Sequence, residues 1–82
     1  MKQRINTTGK NLIGKQLKAL RKEHKLSQRG LARELQLMGI DIDKNVITRI
    51  ETDKRYVCDF ELQAIKNLFN TTYDFLIDGK EN

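Results

Sequence analysis

Residues 26–51 read Leu26-Ser27-Gln28-Arg29-Gly30-Leu31-Ala32-Arg33-Glu34-Leu35-Gln36-Leu37-Met38-Gly39-Ile40-Asp41-Ile42-Asp43-Lys44-Asn45-Val46-Ile47-Thr48-Arg49-Ile50-Glu51, a stretch holding two helices and the chain between them. Ser27 is a good N-cap, because its hydroxyl can accept from a free N–H of the first turn, and Leu26 before it can staple that turn to a core. Leu31, Ala32, Leu35 and Met38 then fall at helical spacing, and Gly39 supplies a left-handed terminator. The spacing predicts a helix from Ser27 to Met38. Gly30 inside it costs about 1 kcal/mol against alanine. Ile40-Asp41-Ile42 reads as a connector, after which Asp43 caps a second helix, Lys44 to Thr52, with Ile47 and Ile50 inward and Val46 at the margin.

Helical periodicity continues on both sides. Upstream, Leu12/Ile13, Leu17 and Leu20 recur at i, i+4, i+7 between lysines, predicting a helix from Asn11 to about Lys25. Downstream, Asp53-Lys54-Arg55-Tyr56 is a loop. Asp59 then caps a helix carrying Phe60, Leu62, Ile65, Leu68 and Phe69, closed by Asn70; Thr72 caps a last one, Tyr73 to Ile77, ended by Gly79. That makes an all-α chain of five helices with no strand pattern and no internal repeat. Met1–Lys10 has too few apolar residues to offset ordering entropy, so residues 1–10 are expected to be a flexible basic arm, either tracking a nucleic-acid backbone or merely solvated. Residues 11–79 form the domain and 80–82 a tail.

With 82 residues the chain is one domain. It buries roughly 60–65% of the surface its unfolded form exposes, which leaves little room for a deep substrate cavity. No apolar run exceeds three residues, as at Phe75-Leu76-Ile77, so neither a membrane span nor a secretory signal is expected. The single Cys58 cannot close an internal disulfide, and with His24 alone it cannot build a zinc site. Cytoplasmic residence and no cofactor follow as expectations. Cys58 reads as a small half-buried residue and His24 as a solvated side chain at a helix end. No nucleophile–base pair, metal cluster or phosphate-cradling glycine loop is present in the pattern, so an enzyme is the weakest reading.

Charge is unevenly laid out. Residues 1–29 carry nine Lys/Arg against Glu23 alone, residues 30–58 carry five against five, and residues 59–82 carry two against five, within a net charge of +5. A basic end and an acidic end suit a polyanion-facing side backed by a neutral one, although lysine-rich helices also arise for solubility alone.

Two short helices joined by a turn and backed by a basic helix have the layout of a helix-turn-helix. The residue identities sharpen it: Ile13-Gly14-x-x-Leu17-x-x-Leu20-Arg21, Leu26-Ser27-Gln28-x-x-Leu31-Ala32, Val46-Ile47-Thr48-Arg49-Ile50-Glu51, Glu61-Leu62-x-x-Ile65 and Thr72-x-x-x-Leu76. From Ile13 to about Gly79 the chain resembles the Cro/repressor-like (Xre) family of transcriptional regulators, a five-helix, lambda-repressor-like DNA-binding fold. The resemblance implies that Gln28 donates to a DNA phosphate at a helix N-terminus. It implies that the third helix enters the major groove, which turns Lys44, Asn45, Thr48 and Arg49 toward base edges. Their chemistry suits this, with Lys and Arg for guanine, Asn for adenine and Thr for several partners. No acidic residue interrupts this outward face. Val46 stands open between the core and a thymine methyl. Lys54 and Arg55 follow where family members touch the backbone, with a plain solvated loop as the rival reading, and Arg29 beside Gln28 is a further phosphate candidate. The resemblance also implies a partly buried Arg21–Glu51 ion pair, structural in role.

Three departures stand out. The connector over Gln36–Asp43 makes this segment about five residues longer than in the shortest family members. Gly30 replaces the acidic residue that would complete a capping box, and Asp53 stands where Gly or Asn is frequent. The expected function is a sequence-specific DNA-binding transcriptional regulator, a repressor, acting as a homodimer on an inverted-repeat operator in double-stranded DNA, with no small-molecule ligand. Phe69, Tyr73, Phe75 and Ile77 are candidates for the dimer contact or simply core. The alternative is a protein-interaction module of antitoxin or anti-regulator type, docking through Leu37–Ile42 with Met38 and Ile40.

Overall fold

Ser27 and Asp43 start the two central helices as their chemistry predicts: the Ser27 hydroxyl accepts from Gly30 N at 2.9 Å and the Asp43 carboxylate from Val46 N at 2.9 Å. The computed structural model describes residues 9–80, and within them the elements are α1 (Gly14–Glu23), α2 (Gln28–Leu37), α3 (Lys44–Glu51), α4 (Asp59–Phe69) and a π-helical turn, Asp74–Asp78. No strand occurs among the described residues. The all-α, five-element expectation holds, but the last element is wound as π rather than α. Thr72 still caps it, its hydroxyl accepting from Phe75 N at 3.0 Å.

The four α-helices share one way of stopping. Lys25, Gly39, Asp53 and Asn70 all have positive φ, and the N–H of the next residue reaches back to a carbonyl five positions earlier: Leu26 to Arg21, Ile40 to Leu35, Lys54 to Arg49, Thr71 to Lys66. This satisfies carbonyls the helix leaves free and turns the chain sharply. Three of the four residues are not glycine, and Asp and Asn tolerate the conformation better than Lys.

The helices wrap a core whose fully buried members are Leu17, Leu31, Leu35, Ile42, Ile47, Ile50, Ile65 and Leu76. Helix α2 packs on α3 and α4, and α1 packs on α3 and on the π turn. Several assignments change. Leu12 is exposed, so the inward stripe of α1 begins at Ile13. The buried face of α4 is Glu61, Ala64, Ile65 and Phe69, which leaves Phe60 outward and Leu62 and Leu68 at the margins. Met38 is exposed instead of packed.

The connector is not a passive link. Ile42 is fully buried, Ile40 packs against the core, and Gln36 Nε2 donates to the Ile42 carbonyl at 2.8 Å. Its strongly exposed apolar residues are Leu37 and Met38, at its start. The extra residues are thus folded down, and they hand α3 its starting point.

The expectation of an arm over residues 1–10 lies outside the described residues except at Gly9 and Lys10. There the backbone is tied down, with Lys10 N and Asn11 N both donating to Asp53 Oδ1 at 2.8 and 2.9 Å. The Lys10 ammonium also sits 4.9 Å from the centre of the Tyr56 ring. Asn11 does more than begin a helix. Its Oδ1 accepts from Ile13 N and Gly14 N, and its Nδ2 donates to the carbonyls of Ile50 and Arg55. One amide therefore caps α1 and fastens it to the end of α3.

Candidate functional site

Helix α3 presents Lys44, Asn45 and Arg49 to solvent, with Thr52 exposed at its C-cap, while Ile47 and Ile50 anchor its other side. Thr52 continues the Asn45 stripe at i+7. Thr52 is not among the base-facing residues expected from the sequence, although helical spacing alone marks it. The Thr52 hydroxyl donates to the Thr48 carbonyl at 2.8 Å, so its methyl and oxygen remain at the surface. Val46 is half-buried and packs against the core, which realises one of its two readings.

Thr48 and Gln28 are built differently from free surface groups. The Thr48 hydroxyl lies 2.9 Å from Gln28 Oε1 and 3.1 Å from the Lys44 carbonyl, and its one proton serves both. Gln28 Nε2 donates to Glu51 Oε1 at 3.0 Å. Glu51 in turn is forked by Arg21, with Nε to Oε2 at 2.6 Å and Nη2 to Oε1 at 3.1 Å, the two side chains only 10% and 2% exposed. Arg21 Nη1 completes the set by donating to the Leu26 carbonyl at 2.9 Å. A continuous relay thus runs from the buried ion pair to the face of α3. It fixes the sense of the Gln28 amide: the oxygen faces Thr48, one Nε2 proton faces Glu51, and the other is left for an outside acceptor.

Lys54 is exposed, and its N–H bonds the Arg49 carbonyl at 2.7 Å, so backbone geometry sets it just past the last turn of α3. Asp53 between them adopts φ 64°, and its carboxyl is held below the ordinary range by the N–H groups of Asn11 and Lys10. Asp tolerates this conformation better than most residues, and its second job, receiving the chain entry, depends on residues 42 and 43 positions away.

Arg55 needs a correction. Expected beside Lys54 on a phosphate, it has its guanidinium forked on Glu61 at 3.0 and 3.1 Å, with a further bond to the Tyr56 carbonyl. Glu61 also accepts from Cys58 N at 3.0 Å, closing a capping box in which Cys58, not Asp59, is the N-cap of α4. Cys58 is exposed rather than half-buried. Burial pushes the Glu61 carboxyl up, but Arg55 and the Cys58 N–H outweigh it and hold it below the ordinary range. A depressed folded-state value stabilises the fold above the unfolded carboxyl range of about 4.3 and loses that contribution as pH falls through the folded value. Urea midpoints of wild type and Glu61→Gln should therefore differ clearly at pH 7 and draw together as pH falls below the unfolded carboxyl range and through the depressed folded value. A constant gap would remove the charged pair from the account.

Arg29 is exposed and shares a cleft of about 650 Å³ with Lys44 and Asn45, where the start of α3 faces α2. His24 is exposed at the end of α1, with Nδ1 2.9 Å from the Leu20 carbonyl and its ring edge-on to Phe69. Among the described residues no helix is long and apolar enough to cross a membrane, and no three potential metal ligands gather.

The arrangement, two helices meeting across a structured turn with the second offering a cationic and amide-bearing face, has the form of a nucleic-acid reading head. No curated protein and no solved structure matches the chain. The family model described as helix-turn-helix, of the Cro/C1 type, matches residues 17–76, which takes in α2, the connector and α3 entirely. On that match and on its lambda-repressor-like all-α fold, the chain belongs to the Cro/C1-type helix-turn-helix family of DNA-binding regulators.

Proposed function

We propose that the protein is a sequence-specific transcriptional repressor that places α3 in the DNA major groove. The observation that carries the reading is the exposed, acid-free stripe of Lys44, Asn45 and Arg49 on a helix anchored by Ile47 and Ile50. Lys44 and Arg49 suit guanine O6 and N7, and Asn45 suits adenine. Thr48 contributes chiefly by bracing Gln28, whose remaining amide proton, together with Arg29 and Lys54, meets phosphates. Repression follows from occupancy of the site. Tyr73 and Ile77 remain at the surface of the π turn, whereas Phe69 is buried and Phe75 packs on the core. A two-fold pairing through Tyr73 and Ile77 suits an inverted repeat with half-sites roughly 34 Å apart.

Selection of bound sequences from a random duplex pool tests this directly. A two-fold-symmetric enriched site supports it, and an unenriched pool defeats it. On the enriched site, Arg49→Ala should weaken binding by about 1–3 kcal/mol while leaving random-duplex affinity nearly unchanged. Lys54→Ala should weaken both alike and flatten the salt slope by about one. Equal loss on every sequence would take Arg49 out of the base-reading set.

Leu37 and Met38, exposed at the end of α2, favour a second reading as a protein-docking module. Salt titration on random duplex separates the two: binding that falls steeply with salt supports the DNA reading, and none at low salt supports docking.

A further inference from the structure

We propose that the outer face of α2 is a self-association surface, on which a second copy of this chain packs its own α2 in parallel, Arg33 of each copy pairing with the partner's Glu34. The face is formed by Gly30, Arg33, Glu34 and Leu37, which stand at i, i+3, i+4 and i+7 and lie opposite the buried Leu31, Ala32 and Leu35.

Nothing inside the fold accounts for these four residues. Leu37 is 74% exposed, more than any other large apolar side chain among the described residues, and Met38 beside it is 42% exposed. Gly30 weakens the helix relative to alanine. Its φ is not positive, and the nearest atoms a β-carbon would meet are side chains at 3.2 Å and beyond, so neither backbone freedom nor crowding within the chain requires a glycine there. Arg33 is exposed and Glu34 half-buried, and neither makes a salt bridge with a described residue. By contrast, Arg21 and Arg55, which hold elements together, are each forked on a glutamate.

The four residues complement a copy of themselves. Arg33 and Glu34 flank the line from Gly30 to Leu37 on opposite sides. A two-fold axis running along α2 exchanges the flanks and keeps the height along the helix, so Arg33 meets the partner's Glu34 on both sides of the seam. Antiparallel helices would instead set arginine on arginine and glutamate on glutamate, which is repulsive. Along the seam the bare Gly30 lets two backbones come close, and the Leu37 side chains cover each other. A face whose charges match its own image selects a second copy over an unrelated protein.

The size of the face sets its strength. Helix α2 has 10 residues and is about 15 Å long, so the seam is far smaller than the roughly 800 Å² per partner of a stable complex. The contact is therefore weak between free copies and takes hold where another tie brings them together, as on neighbouring sites of one duplex. Parallel packing points the Gln28 ends of both helices the same way, as two copies facing one duplex require. This last use rests on the DNA reading above; the contact itself does not, and it is separate from the pairing through Tyr73 and Ile77.

The test is the concentration dependence of amide NMR spectra of the full chain, without DNA. In wild type the Gly30, Arg33 and Leu37 amides should shift together as concentration rises. Arg33→Glu and Glu34→Arg should each weaken association by about tenfold, since two attractive pairs become two repulsive ones. An equimolar mixture of the two variants should regain it, because each then offers the charge the other lacks. The double variant Arg33→Glu with Glu34→Arg should regain it alone, at an unchanged net charge of +5. Leu37→Ala should weaken association while leaving the melting midpoint where it was, which separates contact from folding. Single variants that associate like wild type overturn the pairing, as does a double variant that stays as weak as the singles. Shifts confined to Tyr73 and Ile77, or absent from α2 at the highest soluble concentration, overturn the surface itself. With no DNA present, each of these failures leaves the DNA reading untouched.

Discussion

Glu51→Ala should destabilise the protein by about 3–5 kcal/mol in urea or thermal unfolding followed by circular dichroism. The carboxylate is 2% exposed and accepts three bonds, two from Arg21 and one from Gln28. Its removal leaves a buried guanidinium with only the Leu26 carbonyl as partner. For a domain of this size, total stability is of the order of 4–12 kcal/mol, so the loss removes at least about a quarter of it. The melting midpoint should drop by about 12 °C or more. Replacing both partners with apolar residues, as in Arg21→Met with Glu51→Leu, should recover much of the loss, since no charge is then stranded. A single-variant loss below about 1 kcal/mol would mean that the pair is not desolvated in solution.

Gly14→Ala is expected to be nearly as damaging, for a steric reason. Here α1 lies so close to α3 that a β-carbon would collide with the Ile50 carbonyl oxygen and sit 3.3 Å from the Glu51 Cα. Those atoms are backbone, and they cannot rotate aside. Relief requires α1 to back away from α3, which opens the Asn11 bond to Ile50 and pulls on the Arg21–Glu51 fork. The cost should reach the top of the usual overpacking range, about 3 kcal/mol, read from the same unfolding curves. Gly30→Ala is the matched control: its new carbon meets the Ser27 hydroxyl at 3.2 Å and Leu26 Cδ2 at 3.5 Å, both side chains that can give. If the two variants melt alike, close approach of α1 to α3 does not limit stability.

Much of this was legible in the residues alone. Short-range signals carried well: Ser27, Asp43 and Thr72 cap where polar chemistry put them, and Gly39, Asn70 and Gly79 end their elements in left-handed conformation. What escaped depends on contacts across distance or on a shift of one position. Placing the α4 cap at Asp59 hid the Cys58–Glu61 box, and with it the partner that draws Arg55 into the fold. Spacing within the box, Cys58 to Glu61 at three residues, was visible; cysteine is simply a poor cap by habit, so the signal was weak. Asn11 bridges to residues 39 and 44 positions away, which no local pattern encodes. Ile42 entered the core from a connector without periodicity, since a turn resets the phase of the stripe. Phe60 was drawn into the α4 stripe by its apolarity although the wheel centred on Ala64 and Ile65 turns it outward.

The fastening of α3 bears on how such a protein can be re-engineered. Asp43 and the Gln36–Ile42 tie hold its beginning, Gln28 holds Thr48 in its middle, and Arg21, Asn11 and the Asp53 turn hold its end. None of these fasteners is Lys44, Asn45 or Arg49. Those three side chains are therefore interchangeable lettering on a fixed nib, and a library randomised at 44, 45 and 49 can vary what is written without tilting the pen.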